Sequence, residues 1–369
     1  MQKKIIALAV AGLVSGAAFA QSNVTVYGVA DGYYGRLSAD GMMSNNYFNS
    51  GGLSGSRIGL RGSEDLGGGL KAVFEYELGF NLDNTAKDAT QAINKQDTTN
   101  GGNGINGTRQ SYVGLGGGFG TVVVGRLQTP GYYIGKFDAL ASSTISPQSI
   151  LSGKSGATIA PNNNGRVNNT IAYMSPNFNG FSAVVAFGSG EENTQGAEKE
   201  SVQGLGLNYA NGPLAVGYVF HHVTNVTANN TANVDFPNRS EHMIGASYDF
   251  GMVKVLGSYQ NQKNSGGGLT DPATKRDNIW QLGVVVPVGA GNVHLAYGKY
   301  NLKSTAASDD AKSWTLAYTH GFSKRTTGYA GYNYTSNDGD NLTGGTAGIL
   351  APTPGGNSKA FVVGVRHTF

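Results

Sequence analysis

Ser56–Phe80 reads SRIGLRGSEDLGGGLKAVFEYELGF. Before its Gly67–Gly69 run, Ile58 and Leu60 alternate with Arg57, Gly59 and Arg61; after it, Phe74, Tyr76 and Leu78 alternate with Glu75 and Glu77. Period-two alternation on both sides of a glycine-rich turn predicts two antiparallel strands. Each strand has one apolar face and one face that carries charge. Which face meets which solvent decides the fold.

Working outward from this hairpin, alternating segments recur along the chain, among them VTVYGVADGYYG, RQSYVGLG, GTVVVGRLQ, FSAVVAFGS, DNIWQLGVVVPV and KSWTLAYTHG, to a total of sixteen candidate strands. Their connections alternate in length. Seven are short, glycine- or asparagine-rich turns such as YANGP, VGAGN and HGFSK. Eight are long and occupy 38–56, 81–108, 128–165, 190–200, 224–239, 263–276, 303–311 and 336–357. Strands joined by tight turns are antiparallel, and an even count puts both ends of the sheet on the short-turn side. A soluble sandwich rarely segregates loops by length in this way, nor does it place Trp280, Trp314, Tyr318, Tyr332 and Tyr334 near strand ends. Closure into a barrel removes the unpaired edges.

A soluble barrel would turn its apolar parity inward. Sixteen strands, however, enclose a lumen too wide for side chains to fill, so the polar parity must line water and the apolar parity must face lipid. The last segment, Lys359–Phe369 (KAFVVGVRHTF), follows the same rule with Phe361, Val363, Val365, His367 and Phe369 on one parity. The expected fold is an all-β, sixteen-stranded antiparallel transmembrane barrel.

Composition closes off other classes. Of 369 residues 58 are Gly, none is Cys and only 13% are charged, too few charges for a disordered tail or a nucleic-acid binder. Residues 1–20 combine Lys3 and Lys4, an apolar run from Ile5 to Val14 and Ala18-Phe19-Ala20, the pattern of a cleaved signal peptide; the run is too short for a membrane-spanning helix. Cleavage leaves residues 21–369. Lys3 and Lys4 leave with the leader and no acid does, so 26 basic and 23 acidic residues become 24 and 23, a net charge of +1. Any useful field must therefore come from where charges sit.

No catalytic or cofactor motif stands out. The six His show no H-E-x-x-H spacing, the His221-His222 pair is expected at a strand end, GLGGGFG is a turn and not a phosphate cradle, and no G-x-S-x-G or Walker pattern occurs. Neither an enzyme nor a cofactor is expected. A gated transporter is not expected either, since no segment before the first strand would form a plug.

The stretches SNVTVYGVADGYY, SRIGLRGSEDLGGGLKAVFEYELGF, RQSYVGLGGGFGTVVVGRLQTP, GRVNNTIAYMSP and VVGVRHTF resemble the Gram-negative trimeric general porins, in particular their beta-proteobacterial branch. The resemblance spans essentially the whole mature chain. It implies a diffusion channel of the bacterial outer membrane for ions and small hydrophilic solutes, a homotrimer, contact with outer-membrane lipid and lipopolysaccharide, and Phe369 as part of the signal read by the barrel-assembly machinery. It also implies that the third long loop, 128–165, folds into the barrel and narrows the pore, although the Pro-Glu-Phe-Gly signature of enteric porins is missing and Asp138, beside Lys136 and Lys154, is the loop's only acid.

On the strands that match the family's basic wall stand Arg57, Arg61, Arg109 and Arg166. Parity directs Arg57, Arg61 and Arg166 inward; for Arg109 it is ambiguous and the resemblance decides. With Asp138 they form the expected constriction, and Glu75, Glu77, Arg126 and Lys254 are further pore-lining candidates, as are Lys71 and Arg366 on plausible parities. A ring of fixed positive charge selects against cations, which predicts anion preference. The competing reading is that these arginines pair with Glu75, Glu77 or Asp31 and brace the wall. A substrate-specific porin for a small anionic or polar solute is the alternative function.

Overall fold

A computed structural model describes residues 23–82, 105–155, 157–161, 165–190, 200–227, 235–265, 276–302, 310–338 and 356–369. The leader at 1–20 and most of the second long loop lie outside the described residues. Strands follow in the order β1 (Asn23–Ala39), β2 (Asn45–Ser50), β3 (Arg57–Gly67), β4 (Leu70–Phe80), β5 (Ile105–Gly117), β6 (Gly120–Gln128), β7 (Arg166–Met174), β8 (Phe181–Ser189) and β9 (Ser201–Asn211). They continue with β10 (Leu214–Thr227), β11 (Asp235–Asp249), β12 (Lys254–Ser265), β13 (Arg276–Val288), β14 (Gly291–Leu302), β15 (Ala311–Gly321), β16 (Thr326–Asn337) and β17 (Asn357–Thr368).

These strands form one closed antiparallel sheet with sixteen places, because β2 and β3 share a place beside β1. The lower part of β1, Asn23–Val29, pairs with β3, and its upper part, Gly32–Leu37, pairs with β2. The segment 45–50 therefore departs from the expected loop at 38–56, and β10 and β11 likewise run into the expected loop at 224–239. In each case backbone groups continue the ladder beyond the alternating side-chain pattern that marks a strand in sequence.

The β1–β17 pairing, from Val29 with Thr368 to Ala39 with Ser358, closes the sheet. Gly28 and Phe369 extend this seam by exchanging backbone hydrogen bonds of 3.0 and 3.1 Å. A Cβ on Gly28 would lie 2.3 Å from the Phe369 ring, so glycine is what lets that ring lie across β1.

The expected parity holds. Ile58, Leu60, Phe74, Tyr76, Leu316 and Val363 are exposed on the outer face, while Glu77, Gln281, Thr315 and Asn333 are buried on the inner one. Aromatic rings collect at both ends of the wall. Trp280 meets Tyr297 and Trp314 meets Tyr332 and Tyr334 toward the long-loop end. Phe181 with Tyr209, Tyr248 with Phe250 and His320 with Phe322 do the same toward the short turns. Two girdles flanking an apolar band are what a barrel in a bilayer requires. No described helix is long and apolar enough to cross a membrane.

Candidate pore constriction

The segment after β6 opens with a 3-10 helix, Pro130–Phe137, and continues to a short helix, α1 (Pro147–Ser155). Along its length it is tied to inward-parity side chains of the strands from β10 to β16. Gln281 donates to the Phe137 carbonyl at 2.6 Å, Thr315 to the Ile145 carbonyl at 2.6 Å, and Gln260 to the Ile159 carbonyl at 3.1 Å. Glu241, fully buried on β11, accepts from the backbone N–H of Thr158 at 2.9 Å and of Ile159 at 2.8 Å. His221 Nε2, also fully buried, accepts from Gly131 N–H at 3.2 Å.

Glycines on the wall make room for the segment's apolar side chains. A Cβ on Gly245 or Gly217 would come within 2.4 and 2.6 Å of the Phe137 ring. Phe137 is buried there with Ile134, Ile159, Val219 and Met243. On the next strands Leu151 packs with Ile279, Tyr300 and Ala311. Inward-parity glycine in a strand thus marks close approach of another segment.

Arginines gather on a different arc of the wall, β3 to β7. Arg57 on β3 stands 3.2 Å from Glu77 on β4, and Arg109 on β5 donates through Nε to the same carboxylate at 2.6 Å. Arg109 is the extra residue of a β-bulge: Glu77 pairs with Gln110 and Leu78 with Thr108, leaving Arg109 between them. A bulge re-aims its side chain, and this is why simple alternation leaves Arg109 undecided. Arg126 sits at a second register shift, between Gly125 and Leu127, where it donates to the Thr108 carbonyl and to Asn168. Arg166, at the start of β7, donates to the Tyr132 hydroxyl at 2.9 Å with its guanidinium 4.7 Å from that ring's centre.

Contacts link three of these cations: Arg57 and Arg109 meet at the Glu77 carboxylate, and Arg109 and Arg166 meet at the Tyr132 hydroxyl. Arg366 donates to Ser54 at 3.0 Å. Arg61 lies apart, its guanidinium 5.0 Å from the centre of the Tyr27 ring. Lys254 stands on the inward parity of β12, opposite Val285.

The acids take distinct roles. Glu77 braces Arg57 and Arg109, so part of the bracing alternative is realised. Glu75 accepts instead from Tyr27, Gln110 and Tyr112 at 2.7–3.0 Å. Asp31, fully buried, accepts from the N–H groups of Gly52, Leu53 and Ser54 and from the Tyr329 hydroxyl. Asp138 is 3% exposed. It accepts from Leu140 and Ser142 N–H at 3.0 and 2.9 Å and from the Ser146 hydroxyl, so its carboxylate is taken up inside its own loop. Burial pushes the Asp138 carboxyl above its usual range against the pull of those hydrogen bonds, and burial also lowers the Lys136 ammonium.

Two residues that hold this arrangement, Tyr132 and Glu241, were not singled out from sequence, and a third, His221, was expected only at a strand end. His221 is not a strand-end surface residue. Its one legible signal is position on the same parity as Gly217 and Val219, the face against which Ile134 and Phe137 pack.

A closed sheet with a lipid-compatible outside, two aromatic girdles and a charged inner arc defines a transmembrane β-barrel of the outer-membrane type. Residues 7–340 match the family model described as Gram-negative porin, and the chain belongs to that family. It is 35% identical to outer membrane porin protein 32 of Delftia acidovorans over the full length of both chains. It is 27% identical to the major outer membrane protein P.IB of Neisseria meningitidis serogroup B, again over both full lengths. Among solved structures, the anion-selective porin from Comamonas acidovorans superposes with a TM-score of 0.79 at 31% identity, covering 95% of this chain and 100% of that one. The chain is accordingly an outer-membrane porin.

Proposed function

We propose that the barrel is a water-filled diffusion channel that prefers anions. The observation that carries this reading is the chain of contacts in which Arg57 and Arg109 share the Glu77 carboxylate while Arg109 and Arg166 share the Tyr132 hydroxyl, three guanidinium groups to one carboxylate. Fixed positive charge on a low-dielectric wall focuses the field in the aqueous passage, concentrating anions and repelling cations. The likeness to a porin described as anion-selective supports the same sign.

In this reading the loop 128–165 narrows the lumen, and the gap between its 3-10 helix and the arginine arc sets the size limit. Arg57, Arg109 and Arg166 are the constriction's cations. Arg61, Arg126 and Lys254 contribute to the field at a distance, and Asp138 contributes through loop shape. Flux follows the concentration gradient with no chemical step. The reading also includes removal of residues 1–20, assembly as a homotrimer through outer apolar rows, contact of the remaining rows with outer-membrane lipid and lipopolysaccharide, and recognition of Phe369 by the assembly machinery.

Reversal potential across a potassium chloride gradient, measured on the refolded mature chain in a planar bilayer, tests the reading. A chloride-selective potential is expected. A cation-selective potential would contradict the assigned sign. Saturable block by a small dicarboxylate at millimolar concentration would move the reading to a substrate-specific porin.

A further inference from the structure

The Tyr132 hydroxyl accepts from Arg109 Nη2 at 3.0 Å and from Arg166 Nη2 at 2.9 Å. One phenolic oxygen has two lone pairs, and here both receive a guanidinium donor. The two arginines carry like charge on different strands, β5 and β7, and Glu77 on β4 also holds Arg109. Tyr132 is the common partner that holds them side by side.

The tyrosine belongs to the loop and not to the wall that carries the arginines. Its backbone N–H donates to the Thr129 carbonyl at 3.0 Å, and Thr129 N–H donates to Gly165 at 2.9 Å. The adjacent Gly131 N–H is held by His221 from β10. A Cβ on Gly131 would lie 2.6 Å from the His221 ring, so the chain can approach the ring only as glycine. Loop placement, fixed from one arc, is thus transmitted through one hydroxyl to the charges on another.

We propose that Tyr132 is a selectivity-determining positioning residue: it sets how strongly the channel prefers anions by clamping Arg109 and Arg166 into one cationic face. The proposal rests on the anion-channel reading above. It states in addition that selectivity depends on the arrangement of the charges and not only on their number. Charge-assisted hydrogen bonds to a shared acceptor fix both position and orientation of a guanidinium, whereas stacking on a ring fixes position alone.

Tyr132→Phe separates these contributions, since it changes no charge and keeps the ring under Arg166. The expected result is a channel of normal folding, judged by heat-modifiable gel mobility, whose chloride-to-potassium permeability ratio falls about twofold. On an Arg109→Ala/Arg166→Ala background the same substitution is expected to leave the ratio unchanged, because Tyr132 acts through those two side chains. An unchanged ratio in the single variant overturns the proposal while leaving the anion reading intact. A drop of equal size on the double-alanine background also overturns it, since the tyrosine would then act independently of the arginines. A wild-type channel that is not anion-selective removes the underlying reading itself.

Discussion

The two arcs of the barrel wall obey the same alternation and do opposite things with it. From β10 to β16 the inward residues include Gln260, Gln281, Thr315, Asn333, Glu241 and His221, all buried, with hydrogen bonds running to the segment between β6 and β7. From β3 to β7 they include, beside Glu75 and Glu77, arginines that keep some exposure, 21% for Arg57 and 13% for Arg109, against 10% for Arg239 and 0% for Glu241 on the other arc. An inward polar residue therefore has two fates. Where the segment after β6 covers the wall, the side chain is an anchor and fixes shape; where it does not, the proposed reading has the side chain face the passage and set the field.

The contrast can be broken from the anchoring side first. Gly245→Val would place side-chain atoms where the Phe137 ring lies, a clash costing about 1–3 kcal/mol where a core cannot relax. The loop is then expected to unseat, raising single-channel conductance and nearly abolishing ion selectivity in planar bilayers. Glu241→Ala leaves the N–H groups of Thr158 and Ile159 without their acceptor, at a cost of about 1–3 kcal/mol for a stranded buried group. Current noise should increase and unfolding in urea should move to lower concentration, with a smaller change in mean conductance than for Gly245→Val.

On the charged arc the expected effects of single substitutions are smaller and differ in sign. Glu77→Gln removes the carboxylate that pairs with Arg57 and Arg109 while keeping a hydrogen-bond acceptor, so the chloride-to-potassium permeability ratio should rise about twofold. Arg61→Ala should change that ratio least. Its guanidinium lies over the Tyr27 ring and not on Glu77 or Tyr132, and an exposed cation–π contact is worth only about 0.5–1 kcal/mol. An Arg61→Ala effect as large as that of Arg166→Ala would erase the distinction between a local arginine face and a diffuse positive lumen.

Much of this was legible in the sequence because β-structure writes its faces at period two. Ile58 and Leu60 against Arg57 and Arg61, repeated around a closed sheet, gave the sheet, its closure and the outward side, and the chain's end at Phe369 pairs where that pattern puts it. Parity alone directed Arg57, Arg61 and Arg166 to the inner face. The bulge at Arg109 did not follow from parity, because one extra residue inverts alternation locally and leaves no mark in residue type. The short strand at 45–50 was hidden too, since Asn45–Ser50 has no apolar row and is held by backbone pairing with β1. The roles of Tyr132, His221 and Glu241 escaped for a third reason: they exist only once the loop lies against the wall, and that contact joins residues up to 188 positions apart. The bonds of Asp138 to Leu140, Ser142 and Ser146 of its own loop were equally hidden, since nothing in residue type announces them.

The most direct test of the account is the reversal potential of the Arg109→Ala/Arg166→Ala channel beside the wild type, in the same potassium chloride gradient and at matched single-channel conductance. With Arg57 still braced by Glu77 and the two alanines in place, the account predicts that the chloride preference of the wild type collapses toward equal permeability or reverses. A double variant that folds, conducts and stays as chloride-selective as the wild type would contradict it, and would place the selecting charge elsewhere in the barrel.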